Sequence, residues 1–275
     1  MTTSSLDAAA AWSAVADAWE GEDRAAPTAE AFTRLVDALD VRPGDRVLEL
    51  AAGPGGLGAR WSELVGRDGE AIVSDFAPGM VEVARRHTAG LPNVSVACID
   101  AAAIDFPDAS FDAVGCCMGL MFTPEPAVAL AEIHRVLRAG GRFAALTWGG
   151  LADNPWMAIV GMAAMLNGIV AGAPPTEPGG IFSLSDPELV ARLTREAGFT
   201  DVDVTAVDVP FAAESAEAHI ANVSALAGPL AVALQAAPPD TYAAFLRSAL
   251  ELAAPYESPE GFRVNGTALL VSGRR

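Results

Sequence analysis

Apolar and polar positions along the chain fall into runs that switch between a helical and an extended period. Residues 6–20 and 28–39 read as helices, the first with Trp12, Val15, Ala16 and Trp19 at helical spacing. "RPGDR" is a turn, and "RVLELA" (46–51) after it is the first strand. The segment 54–65 is predicted to open a helix directly after a group of glycines. "EAIVSD" (70–75) is a second strand, and "PGMVEVARRH" (78–87) a helix with Pro in its first turn. "VSVACID" (94–100) and "FDAVGCCM" (111–118) are further apolar strands. "PEPAVALAEIHRVLR" (124–138) is an amphipathic helix stopped by Gly140-Gly141, and "RFAALTW" (142–148) is the strand that follows. Strands alternating with helices predict a parallel sheet covered on both faces.

After Trp148 the rhythm changes. "WMAIVGMAAMLNGIVAGA" (156–173) is nearly free of polar groups and approaches the length of a membrane span. It is rich in Ala and Gly, is interrupted by Asn167-Gly168 and lacks flanking Lys or Arg, so a buried helix or an apolar pocket wall is the better reading. A helix is expected over 185–199, with Ser185 at the N-cap and Gly198 at the end. "DVDVTAVDV" (201–209) alternates like a strand with one wet face, and "FRVNGTALLVSG" (262–273) is the last strand. If these two pair, the helical stretch 211–260 is an insertion within a hairpin, placed to cap the sheet.

Composition narrows the partners. The 275 residues carry 17 Lys+Arg against 35 Asp+Glu, a formal charge of −18. Such a surface repels phosphate backbones and anionic lipid, which argues against nucleic acid as a ligand and against stable membrane insertion. Cys98, Cys116 and Cys117 are odd in number and follow no basic leader, which fits reduced thiols and a cytoplasmic location. His87, His134 and His219 make no metal-binding spacing, and there is no C-x-x-C, so no metal is expected.

The chemistry concentrates in "VLELAAGPGGLG" (47–58). Gly53, Gly55 and Gly58 form a G-x-G-x-x-G, a turn that several nucleotide-like ligands can use. Ligands of open α/β sheets sit at the carboxyl ends of the strands. There Asp75 suits a ribose diol, Phe76 offers a face to an adenine ring, and Asp100 can accept from the adenine amino group. These features serve NAD and S-adenosylmethionine alike. Glu49, inside the first strand, favours the second ligand, because that one is cationic and has no pyrophosphate to hold.

The quoted motifs "VLELAAGPGG", "VSDFAPGMVEVAR", "CIDAAAIDFPDASFDAV" and "ALAEIHRVLRAGGRFAALTW" resemble the successive motifs of class I S-adenosylmethionine-dependent methyltransferases. They are most similar to the branch of the ubiquinone and menaquinone C-methyltransferases and bacterial natural-product enzymes. The resemblance covers about 200 residues, from the helical flank before 47 to "LTREAGFTDVDV" after 148. It implies a Rossmann-like, doubly wound, mostly parallel seven-stranded sheet with a helical cap from the N-terminus and two insertions. The expected division is a single domain over 1–275, with a lid at 1–40, a cofactor core at 41–150, and cap insertions at 151–184 and 211–260. S-adenosylmethionine is the implied cofactor. By the same resemblance Glu49, Ala51, Gly53 and Gly55 hold its methionine end, largely through backbone amides. Asp75 takes the ribose, Phe76 and Met80 flank the adenosine, Asp100 and Ala101 read the adenine, and Cys117 and Met118 border the sulfonium. Trp19 stands where relatives often carry a closing Tyr. The family's strand order separates the third and fourth strands by two others, which puts Cys98 beyond disulfide reach of Cys116.

Methyl transfer needs a nucleophile held at attack distance with water excluded; a general base is optional. Cys98 and Cys116 read as strand interior, His134 as structural and His87 as solvated. His219, in the capping insertion, is the one His placed to face a pocket, and so the candidate base. Met121, Phe122, Trp148 and Trp156 are expected around the acceptor, predicting a small apolar molecule methylated at O, N or C in secondary or quinone-like metabolism. Three alternatives stay open: a methyltransferase-fold enzyme that cyclises or rearranges its ligand, an NAD(P)-dependent oxidoreductase, and a non-catalytic interaction protein. A homodimer is compatible with the sequence.

Overall fold

The computed structural model describes residues 5–20 and 25–275, with side chains over 7–20 and 30–275. The lid expected over 1–40 therefore includes two short stretches, 1–4 and 21–24, that lie outside the described residues. The strands are β1 (Arg46–Leu50), β2 (Glu70–Asp75), β3 (Val94–Cys98), β4 (Phe111–Cys117), β5 (Leu137–Trp148), β6 (Thr200–Ala213), the two-residue β7 (Glu257–Ser258) and β8 (Gly261–Arg274). The helices are α1 (Ser5–Ala14), α2 (Ala16–Glu20), α3 (Ala25–Leu39), α4 (Gly58–Val65), α5 (Pro78–Thr88), α6 (Pro126–Val136), α7 (Pro155–Leu166), α8 (Pro187–Glu196), α9 (Ala216–Leu226), α10 (Pro229–Gln235) and α11 (Pro239–Ala253).

All the strands belong to one sheet of order β3-β2-β1-β4-β5-β8-β6, with β7 paired to β8 off that path. β1 to β5 pair parallel, and β8 runs antiparallel between β5 and β6. The mostly parallel, doubly wound sheet with seven principal strands matches the expectation. The buried strands β1, β2 and β4 are near-continuous apolar runs, as strands covered on both faces must be. Proline opens α5, α6, α7, α8, α10 and α11, where its missing N–H costs nothing.

Several boundaries move from their expected places. The helix predicted from 54 begins at Gly58, because residues 51–57 form a turn closed by Gly55 N–H to the Ala52 carbonyl. β5 starts at Leu137, ahead of the two glycines, with Gly140 at φ 77° turning the chain inside the strand. The N-cap of α8 is Asp186, whose side chain accepts from Glu188 N; Ser185 stands one place outside.

The apolar segment after 155 forms α7, a twelve-residue helix buried against α11 and β8. Among the described residues no single helix is long and apolar enough to cross a membrane. β6 and β8 do pair, so α9, α10 and α11 form an insertion in that hairpin. α1 packs on α5 and α10, which joins the N-terminal helices to the cap.

Candidate functional site

β1 ends in a tight turn. Ala51, Gly53 and Gly55 all have positive φ, at 51°, 57° and 78°. Glycine adopts this conformation freely, whereas Ala51 is held there at a cost of order ~1–3 kcal/mol. Met118, at the end of the neighbouring strand β4, is strained in the same way at φ 56°. The two strained residues are brought together by Gly119, where an added Cβ would stand 2.1 Å from that of Ala51. Backbone strain at the ends of two adjacent parallel strands marks the place where such sheets bind ligands.

Three glycine amides of the turn are engaged within the protein. Gly53 N–H donates to Asp75 Oδ2 at 2.9 Å, Gly55 N–H to the Ala52 carbonyl at 3.1 Å and Gly58 N–H to the Gly55 carbonyl at 3.0 Å. A dinucleotide turn needs those donors facing a pyrophosphate. Gly53 and Gly55, expected to hold a ligand through their amides, have those amides engaged within the protein in this structure.

Two buried carboxylates stand behind it. Asp75, 6% exposed at the end of β2, also accepts from Ala77 N at 2.9 Å through Oδ1. Glu49, 2% exposed in β1, accepts from the indole N–H of the fully buried Trp61 at 2.8 Å. Cys116 of β4 lies close enough to both for their charge to reinforce the effect of burial, which pushes its thiol up to about 12. A cationic ligand with N–H donors fits this surround, and an anionic one does not.

The N-terminal helices close the other side. Phe76 and Met80 form a cluster with Val15, Ala16, Trp12 and Trp19. Trp19 donates its indole N–H to the Leu226 carbonyl at the end of α9, 3.1 Å away, so its hydrogen bond goes to the cap. Trp12 meets Phe122 edge-on at 5.0 Å and lies against Gly228, where a Cβ would touch its ring at 3.0 Å. Glu20 grips Arg86 of α5 through two 2.9 Å bonds. His87 lies beside them and bonds the Pro54 carbonyl of the glycine turn through Nδ1 at 2.9 Å. Trp12 and the Glu20–Arg86 pair were not singled out from sequence as site residues; the helical spacing of Trp12 and Trp19 was the available signal.

The remaining expected residues differ in exposure and partners. Asp100 is exposed and its Oδ1 caps its own turn at Ala102 N, with Ala101 half-buried beside it. Cys98 is exposed on the edge strand β3, not in the interior, and Cys117 is half-buried; none of the three cysteines is in a disulfide. Met121 is fully buried, and Phe122 is half-buried. Trp148 and Trp156 are packed away, stacked with Phe211 at the sheet–cap junction.

His219, expected to face a pocket, is 5% exposed. It stacks on Phe262 at 4.4 Å, and its Nε2 bonds the Trp156 carbonyl at 3.0 Å. Desolvation holds its pKa below the ordinary 6.5, partly offset by that carbonyl. The structure groups His219 with Trp156, Phe211 and Phe262, not with the glycine turn. No cluster of three or more His, Cys, Asp or Glu able to hold a metal occurs among the described residues.

The sheet order and its helices agree with the Rossmann-like methyltransferase fold that the motifs implied. Residues 47–141 match the family described as methyltransferase domain. The chain is 39% identical over 114 residues to the ubiquinone/menaquinone biosynthesis C-methyltransferase of Teredinibacter turnerae, across 40% of this chain and 46% of that protein. It thus spans less than half the length of that curated relative. Among solved structures it superposes on the YcgJ protein of Bacillus subtilis with a TM-score of 0.60 at 19% identity, covering 90% of this chain and 98% of that one. The [4+2]-cyclase SpnF gives a TM-score of 0.54 at 18% identity, covering 90% and 80%. At these identities the two structures speak to fold alone.

Proposed function

We propose that the protein transfers a methyl group from S-adenosylmethionine to a small, largely apolar acceptor held between the strand ends and the N-terminal helices. The observation that carries this reading is the glycine turn with its Gly53, Gly55 and Gly58 amides engaged inside the protein, backed by Glu49 and Asp75. That arrangement suits a sulfonium–ammonium ligand and disfavours a pyrophosphate, and so supports this cofactor over NAD(P). When bound, S-adenosylmethionine supplies an electrophilic methyl group.

The chain's own residues do the rest. Asp75, fixed by two backbone amides, presents a rigid acceptor for ribose hydroxyls. Phe76 and Met80 give the adenosine an apolar wall, and Glu49 adds negative charge where the ligand is positive. Trp12, Trp19 and Phe122 exclude water and hold an acceptor at attack distance, which can supply several kcal/mol of the barrier. A desolvated His219 with one ring nitrogen tied to a backbone carbonyl suits a packing role, so we assign the rate to proximity and not to general-base catalysis.

An aromatic or quinone-like ring is the acceptor class best supported, by the apolar aromatic wall and by the name of the Teredinibacter relative. The test is incubation with methyl-labelled S-adenosylmethionine and a panel of hydroquinones and phenols. Label in an apolar product together with S-adenosylhomocysteine is expected. Cofactor binding with an altered but unlabelled product would instead mean cyclisation or rearrangement.

A further inference from the structure

We infer that His87 is a positioning residue for the cofactor turn, tying it to the N-terminal helices through the last turn of α5. The inference rests on the methyl-transfer reading and extends it to a residue outside the ligand's own walls. Ala84, His87 and Thr88 share one face of α5, spaced i, i+3 and i+4, and that face carries the glycine turn. A Cβ added to Gly55 would stand 3.1 Å from that of Ala84, and one added to Gly58 would stand 2.6 Å from Thr88 Cγ2. Between these contacts His87 Nδ1 lies 2.9 Å from the Pro54 carbonyl. A carbonyl only accepts, so the ring proton sits on Nδ1 and is donated to it.

The turn is therefore gripped from two sides. Asp75 holds it through the Gly53 amide, and His87 holds it through the carbonyl of Pro54, which has no N–H of its own. With Ala51 at φ 51°, this backbone keeps its shape only where its neighbours fix it. The other side of the same helical turn faces the N-terminal helices. Arg86 makes its two 2.9 Å bonds to Glu20 at the end of α2, and Glu20 Oε1 stands 3.9 Å from His87 Nε2. At the opposite end of α5, Ser13 Oγ accepts from Gly79 N–H at 3.1 Å, and a Cβ on Gly79 would come within 2.9 Å of Ser13. α5 is thus packed between the turn and the helices that close over it. A displacement of α2 moves Glu20, and the turn feels it through Arg86 and His87.

The experiment pairs calorimetric titration of the full chain with S-adenosylhomocysteine and amide hydrogen exchange of the ligand-free chain. Both are run on wild type, His87→Ala, His87→Asn, Glu20→Ala and Arg85→Ala, all at exposed positions. In His87→Ala, S-adenosylhomocysteine binding is expected to weaken about three- to tenfold, as loss of one neutral hydrogen bond predicts. The Gly53, Gly55 and Gly58 amides are expected to exchange faster by a similar factor. Asn carries an amide N–H at about the position of Nδ1, so His87→Asn is expected to restore both readouts to within about twofold. Glu20→Ala is expected to speed exchange of the same amides about two- to fivefold, although its bonds go to α5 and not to the turn. Arg85→Ala, which removes a neighbouring surface cation, is expected to change neither readout. Unchanged exchange in His87→Ala, or equal losses in His87→Ala and His87→Asn, would overturn the inference and leave the methyl-transfer reading standing. Unchanged exchange in Glu20→Ala would overturn the link to the N-terminal helices. Wild type that fails to bind S-adenosylhomocysteine would overturn the methyl-transfer reading and the inference with it.

Discussion

The two halves of the molecule hold themselves together by different means. Around the glycine turn, the strand ends are fixed by charged and backbone hydrogen bonds: Gly53 and Ala77 to Asp75, Trp61 to Glu49, Ser74 Oγ to the Glu49 carbonyl. At the sheet–cap junction the work is done by rings, from Trp148 through Trp156 and Phe211 to His219 and Phe262. Hydrogen bonds there are few and neutral. Asn154 stands out: its Oδ1 accepts from Trp156 Nε1–H and Thr267 N–H, and its Nδ2 donates to the Thr267 carbonyl. The difference teaches how specificity is divided. A polar network fixes one ligand chemistry, whereas an aromatic stack fixes shape and tolerates change in what it encloses.

The sharpest way to break the aromatic half is Trp156→Ala. The ring is 8% exposed and stacked between Trp148 and Phe211, so its loss is expected to cost about 3–5 kcal/mol, read by urea unfolding. A loss under ~1 kcal/mol would mean that the stack does not hold the cap to the sheet.

Asp75→Ala tests the polar half. It leaves the Gly53 and Ala77 amides without their carboxylate, so both stability and ligand affinity should fall. Hydrogen bonds to charged groups are worth about 1.5–3 kcal/mol each, and a stability loss of about 2–4 kcal/mol is expected. Asp75→Asn keeps the shape and one acceptor oxygen but turns an NH2 donor toward the other backbone N–H, so it should recover only part of the loss. Equal losses in the two variants would mean that the carboxylate's charge and acceptors, not its packing, matter at this position.

A smaller effect comes from His219. The unfolded chain binds a proton there near pH 6.5, whereas burial lowers the folded-state value. The unfolded state therefore takes up more protons as pH falls, so the His219 contribution is present above pH 6.5 and is lost as pH drops through the lowered folded value. His134 shifts in the same direction, by partial burial and the nearby Arg275 charge. Melting temperature should fall on acidification below 6.5, and His219→Gln should flatten part of that fall. An unchanged slope in the variant would place the pH sensitivity elsewhere.

The smallest expected effect is chemical. Maleimide should label exposed Cys98 quickly in the native protein and leave buried Cys116, its thiol held near pKa 12, unmodified until unfolding. Rapid labelling of Cys116 would mean that the ends of β1 and β4 open readily.

The two halves also differ in how far they could be read from residues. The alternation of runs predicted the parallel core, and the spacing of Gly53, Gly55 and Asp75 predicted their meeting, because each is set by local turns and strand lengths. Where local signals competed, boundaries slipped by a few residues. Pro54 looked like a helix opener but sits in the turn, and Asp186 took the cap expected of Ser185. The direction of the Gly53 and Gly55 amides was not legible, since their spacing is the same whether they face a ligand or a neighbouring carboxylate. The burial of Trp156 and His219 was hidden for a different reason: Asn154 reaches Thr267 across the chain, and His219 stacks on Phe262 only once β6 and β8 have paired. Contacts made by pairing distant strands leave no period in the sequence.

The central claim is that the β1 turn, with its amides engaged and two carboxylates behind it, is built for a sulfonium ligand. Calorimetric titration of the wild-type chain with S-adenosylhomocysteine and with NADH tests it most directly. The account predicts saturable binding of S-adenosylhomocysteine, weakened at least tenfold in Asp75→Asn, and no binding of NADH. Saturable NADH binding without S-adenosylhomocysteine binding would contradict it.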